Sequence, residues 1–598
     1  MSKRTHQGRI VRSSRRRLAV AVDFGNVTTC VAVFHEYSKD QPAQIWIFED
    51  WPGGKTNRNP TRIKLDARGN VIRWGNQLEP GEDCIEFFKL ALDPSQKIPG
   101  GNTHERIREK CRAADKSPEE VVTIFLRQVH DTVTKSKTLE ARFTEKVLSN
   151  AKWEWILTVP AIWSDAAKEA TRRAAVAAGM SKNLTIVSEP EAAAIFTLGA
   201  VQAFNAEKDD VFINCDIGGG TIDAITYKVL KTSPHLEFSE AAIGDGALEG
   251  GMNVDQRFAD YLKGRMGPEA FARMQTTGSI WKEVLEVWER IKDTFDGNGD
   301  EENRKSSWIR LDSRFDDPES GIKDGRIFLS CEDVSAIFKP TIDKAAELIG
   351  SQYQRAALMA SGEGPQHLLL VGGGGQWPYV YSELRKRFSG DGGLFVAEAT
   401  DKEDLPELLV HQPLQGAMAI VQGAAYQAFD GGMVTCRKAR RGYALSQEVM
   451  WKAGKHDESQ KVWDENEHCY RAKVPDWLFR KGEDIPHDET WKTKFYRLFS
   501  SAVIDDWNDA YAVQEKLYIY DGDSRNPSLG ELTPLCTVTS SEPEFEDQEF
   551  PEHAYQTIES TGCVKLTYFL DVRIRGAALE FTIRIDDDLY AKTGAQYE

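Results

Sequence analysis

Continuous apolar runs broken by glycine-containing turns predict short buried strands in the first part of the chain. One strand begins at Leu18 in the run LAVAVDFG, and a second follows after a tight turn, at 30–34. Further buried strands are predicted at 155–159 and Val211–Ile217. The last of these opens another strand, glycine turn and strand that resembles the unit at residue 18. This internal similarity suggests a duplicated lobe.

Apolar residues at helical spacing predict helices between these strands. Ser117 and Pro118 are a cap and first residue for a helix over 118–133, and Ser164 with Asp165 begins an alanine-rich helix that Gly179 ends. A second alanine-rich helix follows the short strand at 186–187. Other helices are predicted, at 282–295, 334–359 and 416–429, and a strand leads into a glycine turn at 368–375.

Beyond Gly432 the pattern changes to strand-like runs separated by Gly, Asp and Asn. Such runs occur at 516–520, 564–572 and 579–585. We therefore expect a β-rich C-terminal part, with a boundary near 431–441 in the basic stretch 436–441. The stretch 477–486 predicts a strand and a turn.

Size and charge restrict the function classes. The 598 residues exceed one core, so two to four compact units are expected. With 75 Lys and Arg against 93 Asp and Glu, the net charge of −18 argues against nucleic acid as the main partner. A nucleotide can still bind, since local main-chain amides matter more than net charge. The sequence contains no run of eighteen or more uncharged apolar residues, so it predicts no membrane-spanning helix.

The tail and the cysteines indicate where the protein works. Residues 1–17 are basic with no acid and no following apolar segment of a secretory signal, so we expect a disordered tail. The nine cysteines show no CxxC pair, which is typical of free thiols in a reducing compartment. The lack of a secretory signal and the free cysteines favour a cytoplasmic location, and the basic tail leaves a nuclear location open.

Four segments carry candidate chemistry: 23–29 (DFGNVTT), 188–194 (SEPEAAA), 216–223 (DIGGGTID) and 371–375 (VGGGG). Glycine lets consecutive N–H groups turn toward a phosphate, and an acid at a strand end can hold a hydrated cation. Taken singly, the first segment is typical of an ordinary hairpin turn, and Glu189 of a helix-capping acid. Three successive glycines at 218–220, after the acid Asp216, favour a phosphate-binding turn, because glycine weakens a strand interior.

At these residues the sequence resembles the 70 kDa heat-shock chaperone family. The motifs DFGNVTT, LTVPAIWSDAAKEATRRAAVAAG, SEPEAAAI, DIGGGTID, IGDGALEGG and VGGGG occur in the family's order over about residues 18–430, with a weaker resemblance from 441 onward. WPGG, RWG and EFFKLALD look like its divergent, non-housekeeping branch. The resemblance implies an α/β fold: a duplicated, actin-like (ribonuclease H-like), two-lobed ATPase domain followed by a mainly β C-terminal domain. It implies ATP or ADP and Mg²⁺ as cofactors.

The resemblance also implies a division of the chain and a set of roles. The expected domains are a tail at 1–17, one lobe at 18–203, a second at 204–430 with 400–430 returning toward the first, and a substrate-binding-like domain without a helical lid at 431–598. The residues implied for nucleotide contact are Asp23, Gly25, Asn26, Thr28, Thr29, Gly218, Gly219, Gly220, Thr221, Gly250, Gly251, Glu289, Lys292, Gly372, Gly373, Gly374 and Gly375. Asp23, Glu189 and Asp216 would hold magnesium, mostly through its waters. The implied catalytic group is Lys89, Glu189, Asp216, Thr221 and Asp223, with Lys89 orienting the attacking water.

The chain departs from the family pattern in several places. Asn26 and Val27 stand where the family usually has two threonines, and Asp293 and Gln376 replace the arginines that flank adenine. Such cation–π contacts are worth ~0.5–2 kcal/mol each, so weaker nucleotide binding is expected. The sequence pattern after Gly432 shows neither the acidic, leucine-rich linker nor the helical lid that the family has.

These observations leave several functions open. The first is a weak ATPase that couples nucleotide state to binding of an unfolded or extended polypeptide, with co-chaperones or exchange factors as partners. The second is a regulatory or scaffold protein that binds ATP with little or no turnover. A small-molecule kinase of the same fold and a filament former are further options with less support, because the chain shows no sugar-binding insertion and no evident polymer contact.

Overall fold

The structure is a computed structural model that describes residues 17–35, 44–94, 104–143, 145–181, 184–200, 206–232, 236–277, 279–297, 308–359, 364–389, 408–429, 433–465, 467–487, 489–500, 513–540, 555–558, 563–585 and 588–597. The basic tail, apart from Arg17, lies outside the described residues. Three stretches at the predicted domain boundaries also lie outside the described residues: 201–203, 400–407 and 430–432.

A first sheet is built around the N-terminal strand. Its strands, in spatial order, are Thr185–Ser188, Lys152–Val159, Arg17–Phe24, Thr28–His35 and Gln44–Ile47, with Asn59–Pro60 also paired to Thr28–His35. The first three run parallel, and the hairpin from Arg17–Phe24 to Thr28–His35 is antiparallel. Nearly every residue of the hairpin is buried, as its apolar sequence predicts.

A second sheet repeats the same local arrangement. Its strands, in spatial order, are Leu409–His411, His367–Val371, Val211–Ile217, Ile222–Lys231, Glu237–Glu240, Val434–Lys438 and Asp484–Pro486, with Asp245–Ala247 also paired to Ile222–Lys231. Again a parallel set ends in an antiparallel hairpin, here Val211–Ile217 with Ile222–Lys231. Two strands from beyond residue 433 extend this sheet, so hydrogen bonding crosses the predicted boundary at 431.

A third sheet contains most of the described residues after 442. Its strands, in spatial order, are Val462–Asp464, Cys469–Phe479, Gly442–Met450, Gln514–Tyr520, Thr533–Ser540, Asp588–Tyr597, Ala578–Ile585, Cys563–Arg575 and Thr490–Ser500, with Tyr555–Ile558 paired to Cys563–Arg575. The part of this region that the structure describes contains single turns of 3-10 helix at Glu458–Gln460 and Leu529–Glu531 and no α-helix.

Smaller strands complete the β-structure. They pair as Asp50–Trp51 with Gly54–Lys55; Arg62–Leu65 with Val71–Trp74 and Ile85–Glu86; and Arg326–Phe328 with Trp308–Arg310 and Ile322–Lys323. The α-helices are His104–Ala113, Pro118–Thr134, Lys137–Phe143, Glu145–Asn150, Asp165–Ala177, Glu189–Ala200, Gly251–Met266, Pro268–Thr276, Ile280–Thr294, Cys331–Met359, Gly372–Gly375, Pro378–Phe388 and Ala419–Phe429. Further 3-10 turns are Gly75–Gln77, Leu90–Leu92, Ser313–Phe315 and Gly416–Met418.

Helix Glu189–Ala200 lies between the first and second sheets. Its Ala192 packs in a core cluster with the first sheet, and its Ala194 and Ile195 pack in another with the second. Helix Ala419–Phe429 crosses it so closely that a Cβ on Gly423 would lie 1.7 Å from the carbonyl oxygen of Ala192. Only glycine allows this approach, which holds the two helices together between the sheets.

The predicted elements agree well with the described ones, and a mixed α/β fold is confirmed. The cap at Ser117 forms as expected, with the Glu120 N–H donating to the Ser117 hydroxyl at 3.2 Å. Ser164 caps its helix in the same way, accepting from the Ala167 N–H at 3.2 Å. Helix ends differ by at most a few residues, and the glycines after Val371 form one helical turn.

Residues from beyond 442 contact the first half of the chain directly. The Tyr443 hydroxyl donates to Asp165 Oδ2 at 2.7 Å, and the Ala577 N–H donates to the Ile186 carbonyl at 3.0 Å. The eight cysteines from Cys30 to Cys536 are unbridged. Within the described residues, the helices are too short or too polar to cross a membrane.

Candidate functional site

Two glycine turns with the same hydrogen bond lie at the ends of the two main hairpins. The Gly25 N–H donates to the Thr28 carbonyl at 3.0 Å, and the Gly218 N–H donates to the Thr221 carbonyl at 2.9 Å. A Cβ on Gly25 would lie 2.5 Å from the Thr28 oxygen, so this turn requires glycine. The sequence similarity between the two segments is therefore matched by their local structure.

The two turns face one another across a cleft. A Cβ on Gly219 would lie 2.9 Å from Val27 Cγ2, and one on Gly220 would lie 3.1 Å from Asn26 Nδ2. Gly219 and Gly220 therefore present main chain without side chains, and the first turn meets them with the side chains of Val27 and Asn26. The bare main-chain amides of the second turn and the side-chain amide of Asn26 suit an oxyanion ligand such as a phosphate.

Four acids lie behind the turns: Glu189, Asp216 and Asp223, which are buried, and Asp23, which is partly exposed. Burial, and then the charge of Glu189, raise the pKa of Asp23 to about 7, although Lys89 opposes the shift. Asp23 also accepts a hydrogen bond from the Thr158 hydroxyl at 2.8 Å. The site therefore concentrates negative charge in a place where water cannot screen it.

Asp216 is the most strongly perturbed of these acids. Burial raises its pKa well above the usual value, and the charges of Glu189, Asp223 and Asp23 add to the shift. Its Oδ1 has no hydrogen-bond partner among the described residues. A buried, mutually repelling set of carboxylates with an unsatisfied oxygen fits a cation that neutralises it.

The four acids are not arranged as direct ligands of a metal ion. In the part of the chain that the structure describes, no three His, Cys, Asp or Glu side chains are grouped closely enough to bind one metal ion. Magnesium gives up its waters reluctantly and is commonly held through them. The residues present therefore fit a hydrated magnesium ion better than a directly bound one.

Lys89 is fully buried beside these acids. Its Nζ donates to Glu189 Oε1 at 3.2 Å and lies 5.3 Å from the ring centre of Phe24 and 4.9 Å from that of Trp163. One carboxylate and two aromatic rings thus fix the ammonium group. The two aromatic neighbours were not singled out from the sequence, because no local signal marks them.

The raised pKa of Asp223, about 7 through burial and then the charge of Glu189, predicts a pH dependence of stability. Unfolding returns this carboxyl to about 3.9, so the folded protein binds more protons between about pH 4 and 7. Ligand-free protein should therefore lose stability as the pH rises through this range. Asp223→Asn should stabilise it, on the order of 2 to 4 kcal/mol at pH 8 and much less at pH 5.

Chemical denaturation at both pH values measures this difference. The matched control is Asp115→Asn, because Asp115 is exposed and has a positive φ of 55°, which asparagine tolerates. An equal gain for Asp223→Asn at pH 5 and pH 8 would contradict the assignment.

The other predicted glycines border the same cleft. The N–H groups of Gly251 and Met252 donate to the carbonyls of Gly218 and Gly219 at 3.0 and 2.7 Å. A Cβ on Gly372 would lie 2.1 Å from Asp216 Oδ1. The segments around residues 25, 219, 250 and 373 therefore converge, although the Gly251 N–H is already used within the protein.

Trp377 connects the remaining predicted residues. Its ring lies against Gly251 and Gly374, where added Cβ atoms would be 3.5 and 3.3 Å away, and Lys292 Nζ lies 5.4 Å from its ring centre. Lys292 is buried and paired with Asp255 at 2.6 Å and Glu289 at 2.7 Å. Gly251, Lys292 and Gly374, which are predicted to contact the nucleotide, therefore belong to one continuous group of residues, together with a tryptophan that the sequence alone did not indicate.

Some of the residues that the sequence analysis considered do not offer their side chains to a nucleotide. The Thr29 side chain is fully buried, and its hydroxyl pairs with that of Thr61 at 2.9 Å, so it supports the turn from behind. Gln376 donates to the Leu370 carbonyl at 3.3 Å, while Asp293 is exposed. Neither supplies the positive charge that the family has at these two positions.

Comparison with known proteins identifies related sequences. The profile of the family described as Hsp70 protein matches residues 96–392. Heat shock 70 kDa protein 12A of Homo sapiens is 21% identical over 533 residues, covering 73% of each chain. Heat shock 70 kDa protein of Neurospora crassa is 23% identical over 390 residues, 62% of this chain and 54% of the relative. Chaperone protein DnaK of Burkholderia cenocepacia is 25% identical over 390 residues, 62% and 55% of the two chains.

Proposed function

Because this chain is a divergent member of the 70 kDa heat-shock protein family, we propose that it binds ATP between the two facing glycine turns and couples nucleotide state to the binding of an extended polypeptide. The observation that carries the proposal is the meeting of the turns, with Val27 against Gly219 and Asn26 against Gly220, directly in front of three buried acids and the partly exposed Asp23. A polyanion and its cation together satisfy both halves of this arrangement.

Each site residue has a role in the proposed reaction. Asp23, Glu189 and Asp216 hold the waters of a magnesium ion, which neutralises charge on the phosphates when bound. Lys89, fixed by Glu189 and two rings, orients the attacking water. Thr221 and Asp223 complete the polar surroundings of that water. Little covalent chemistry is left to the protein, since positioning and charge dominate phosphoryl transfer.

We further propose that the first and second sheets are the cores of two duplicated lobes, and that residues after 442 form a β-rich domain that holds the polypeptide. The identical turn hydrogen bonds of Gly25 and Gly218 support the duplication. Helix Ala419–Phe429 packs in a core cluster with the first sheet, which supports a return of the chain to the first lobe. The strand Val434–Lys438 joins the second sheet, so the boundary is better drawn after it.

The contacts of the β-rich part suggest how nucleotide state reaches it. Tyr443 bonds to Asp165, two residues after Trp163, whose ring lies beside Lys89. A change at Lys89 can thus be transmitted over a few covalent bonds to the start of the third sheet. The partner we propose is an unfolded or extended polypeptide, with co-chaperones or exchange factors acting on the same cycle.

A scaffold that binds ATP without useful turnover is the second candidate. Asn26 and Val27 remove two hydroxyl donors from the first turn, and the Thr29 hydroxyl is already paired with Thr61. Fewer donors near the phosphates favour slower hydrolysis more than weaker binding.

Single-turnover hydrolysis of radiolabelled ATP distinguishes these two functions. The wild-type protein is compared with Lys89→Met, which keeps the bulk of the side chain but removes its charge. We expect both to bind magnesium-ATP, and the wild type to hydrolyse it about 100-fold or more faster, as for loss of a positioned catalytic group. Equal rates in the two proteins would favour the scaffold. No binding by the wild type would refute the proposed function.

A further inference from the structure

Arg58 lies on a segment that is bonded to the first glycine turn. Its own N–H donates to the Thr56 hydroxyl at 3.1 Å, and the next two residues pair with strand Thr28–His35. The Thr61 N–H donates to the Val27 carbonyl at 2.7 Å. The backbone of Arg58 is therefore fixed relative to the turn.

The side chain of Arg58 reaches across to the opposite side of the cleft. A Cβ on Gly373 would lie 2.8 Å from its Nη2 and 3.1 Å from its Nη1. Its Nη2 also donates a long hydrogen bond of 3.4 Å to the Ala417 carbonyl. The guanidinium group thus lies against the bare main chain of a glycine segment more than 300 residues away in sequence.

The charge of Arg58 is not neutralised by an ion pair. Arg257 and Arg437 pair with Glu249 and Glu191, but Arg58 has no carboxylate within 4 Å among the described residues. A guanidinium has five N–H donors, and one weak bond to Ala417 leaves most of them unused. The residue is half-buried, so part of its surface remains accessible to solvent.

The surroundings explain why a cation is placed there. Gly373, against which Arg58 lies, directly follows Gly372, where a Cβ would lie 2.1 Å from Asp216 Oδ1. Arg58 is therefore close enough to the acid cluster to act on it electrostatically without bonding to it. A group that is near several acids and paired with none suits a shared anionic ligand.

We propose that Arg58 binds phosphate oxygens of the nucleotide and so links the first glycine turn to Gly373 across the occupied cleft. This assignment rests on the proposed function. A planar guanidinium can donate two parallel hydrogen bonds to a phosphate, which a lysine cannot do. Arg58 then supplies donors to a site where Asn26 and Val27 have replaced two hydroxyl groups.

Calorimetric titration of the full chain with magnesium-ATP tests the assignment on three variants: Arg58→Gln, Arg58→Lys and, as control, Arg62→Gln. Arg62 lies on the same segment, but its guanidinium donates to the carbonyls of Gly75 and Leu78, neither of which is a predicted site residue. We expect Arg58→Gln to weaken binding by about 10- to 100-fold, Arg58→Lys to recover part of it, and Arg62→Gln to bind like the wild type. The melting temperature of ligand-free Arg58→Gln should equal that of the wild type.

Two results would overturn the assignment. One is wild-type affinity for magnesium-ATP in Arg58→Gln. The other is a loss of affinity together with a lower melting temperature of the ligand-free variant, which indicates a structural role of Arg58. If the wild-type protein itself shows no binding of magnesium-ATP, the proposed function fails and this inference fails with it. The titration therefore distinguishes the two failures.

Discussion

Asp216→Asn is expected to weaken magnesium-ATP binding by about 10- to 100-fold and at the same time to stabilise the ligand-free protein. The acid is buried among three others, and its Oδ1 has no hydrogen-bond partner among the described residues. Its charge is therefore costly until a cation arrives. Asparagine removes that charge at nearly constant volume, with a gain of about 1–3 kcal/mol from the lost desolvation and repulsion of the carboxylate.

Calorimetric titration and thermal unfolding, each with and without magnesium-ATP, measure the two effects. Asp324→Asn is the matched control, because Asp324 is exposed in a turn with φ of 53° and lies in a separate small sheet. The control should leave both quantities unchanged. Equal heats of binding for Asp216→Asn and the wild type would remove Asp216 from the site.

The second large effect concerns the buried ion pair of Arg437 and Glu191. Arg437 donates to Glu191 through Nε at 3.1 Å and Nη2 at 2.6 Å, and both residues are buried. Arg437→Met is expected to destabilise the protein by about 3–5 kcal/mol, because it leaves a buried carboxylate without its cation. Chemical denaturation measures the change.

A paired replacement separates the loss of a partner from the loss of the interaction. Glu191→Leu combined with Arg437→Met removes both charges and keeps apolar bulk, so it should recover most of the stability lost in the single variant. If the double variant is as unstable as Arg437→Met alone, the lost packing of Arg437 explains the effect and the ion pair does not.

The same ion pair has a functional consequence. Glu191 lies two residues after Glu189 in the first turn of one helix, and Arg437 lies in the strand that leads to the third sheet. In the proposed cycle, this contact joins the magnesium site to the β-rich part. The double variant should therefore bind magnesium-ATP normally but respond less to it in its polypeptide affinity.

Much of the candidate site was predictable from its local sequence. Glycines that follow an apolar strand and an acid, as in Asp216 to Gly220, determine a turn through interactions within about five residues. The helix cap at Ser117 is equally local, since the cap and its partner Glu120 are three residues apart. Motif order then associated these turns with one family before any tertiary contact was known.

Other residues of the site carried no local signal. Arg58, Trp163 and Trp377 are single side chains in segments whose patterns indicate ordinary loops or element ends. Their partners lie far along the chain: Gly373 and Ala417 for Arg58, and Lys89 for Trp163. Periodicity reports only which face a residue occupies, so it cannot identify a partner hundreds of positions away.

The sequence alone therefore determined the strands, helices, caps and glycine turns, because each depends on backbone preferences and hydrogen bonds over a few residues. The tertiary structure alone decided that the turns at Gly25 and Gly218 face each other, that Asp23, Glu189 and Asp216 repel one another behind them, and that Arg437 reaches Glu191. These facts depend on how two sheets pack around helix Glu189–Ala200, where burial and the close contact at Gly423 fix distances that no local pattern contains.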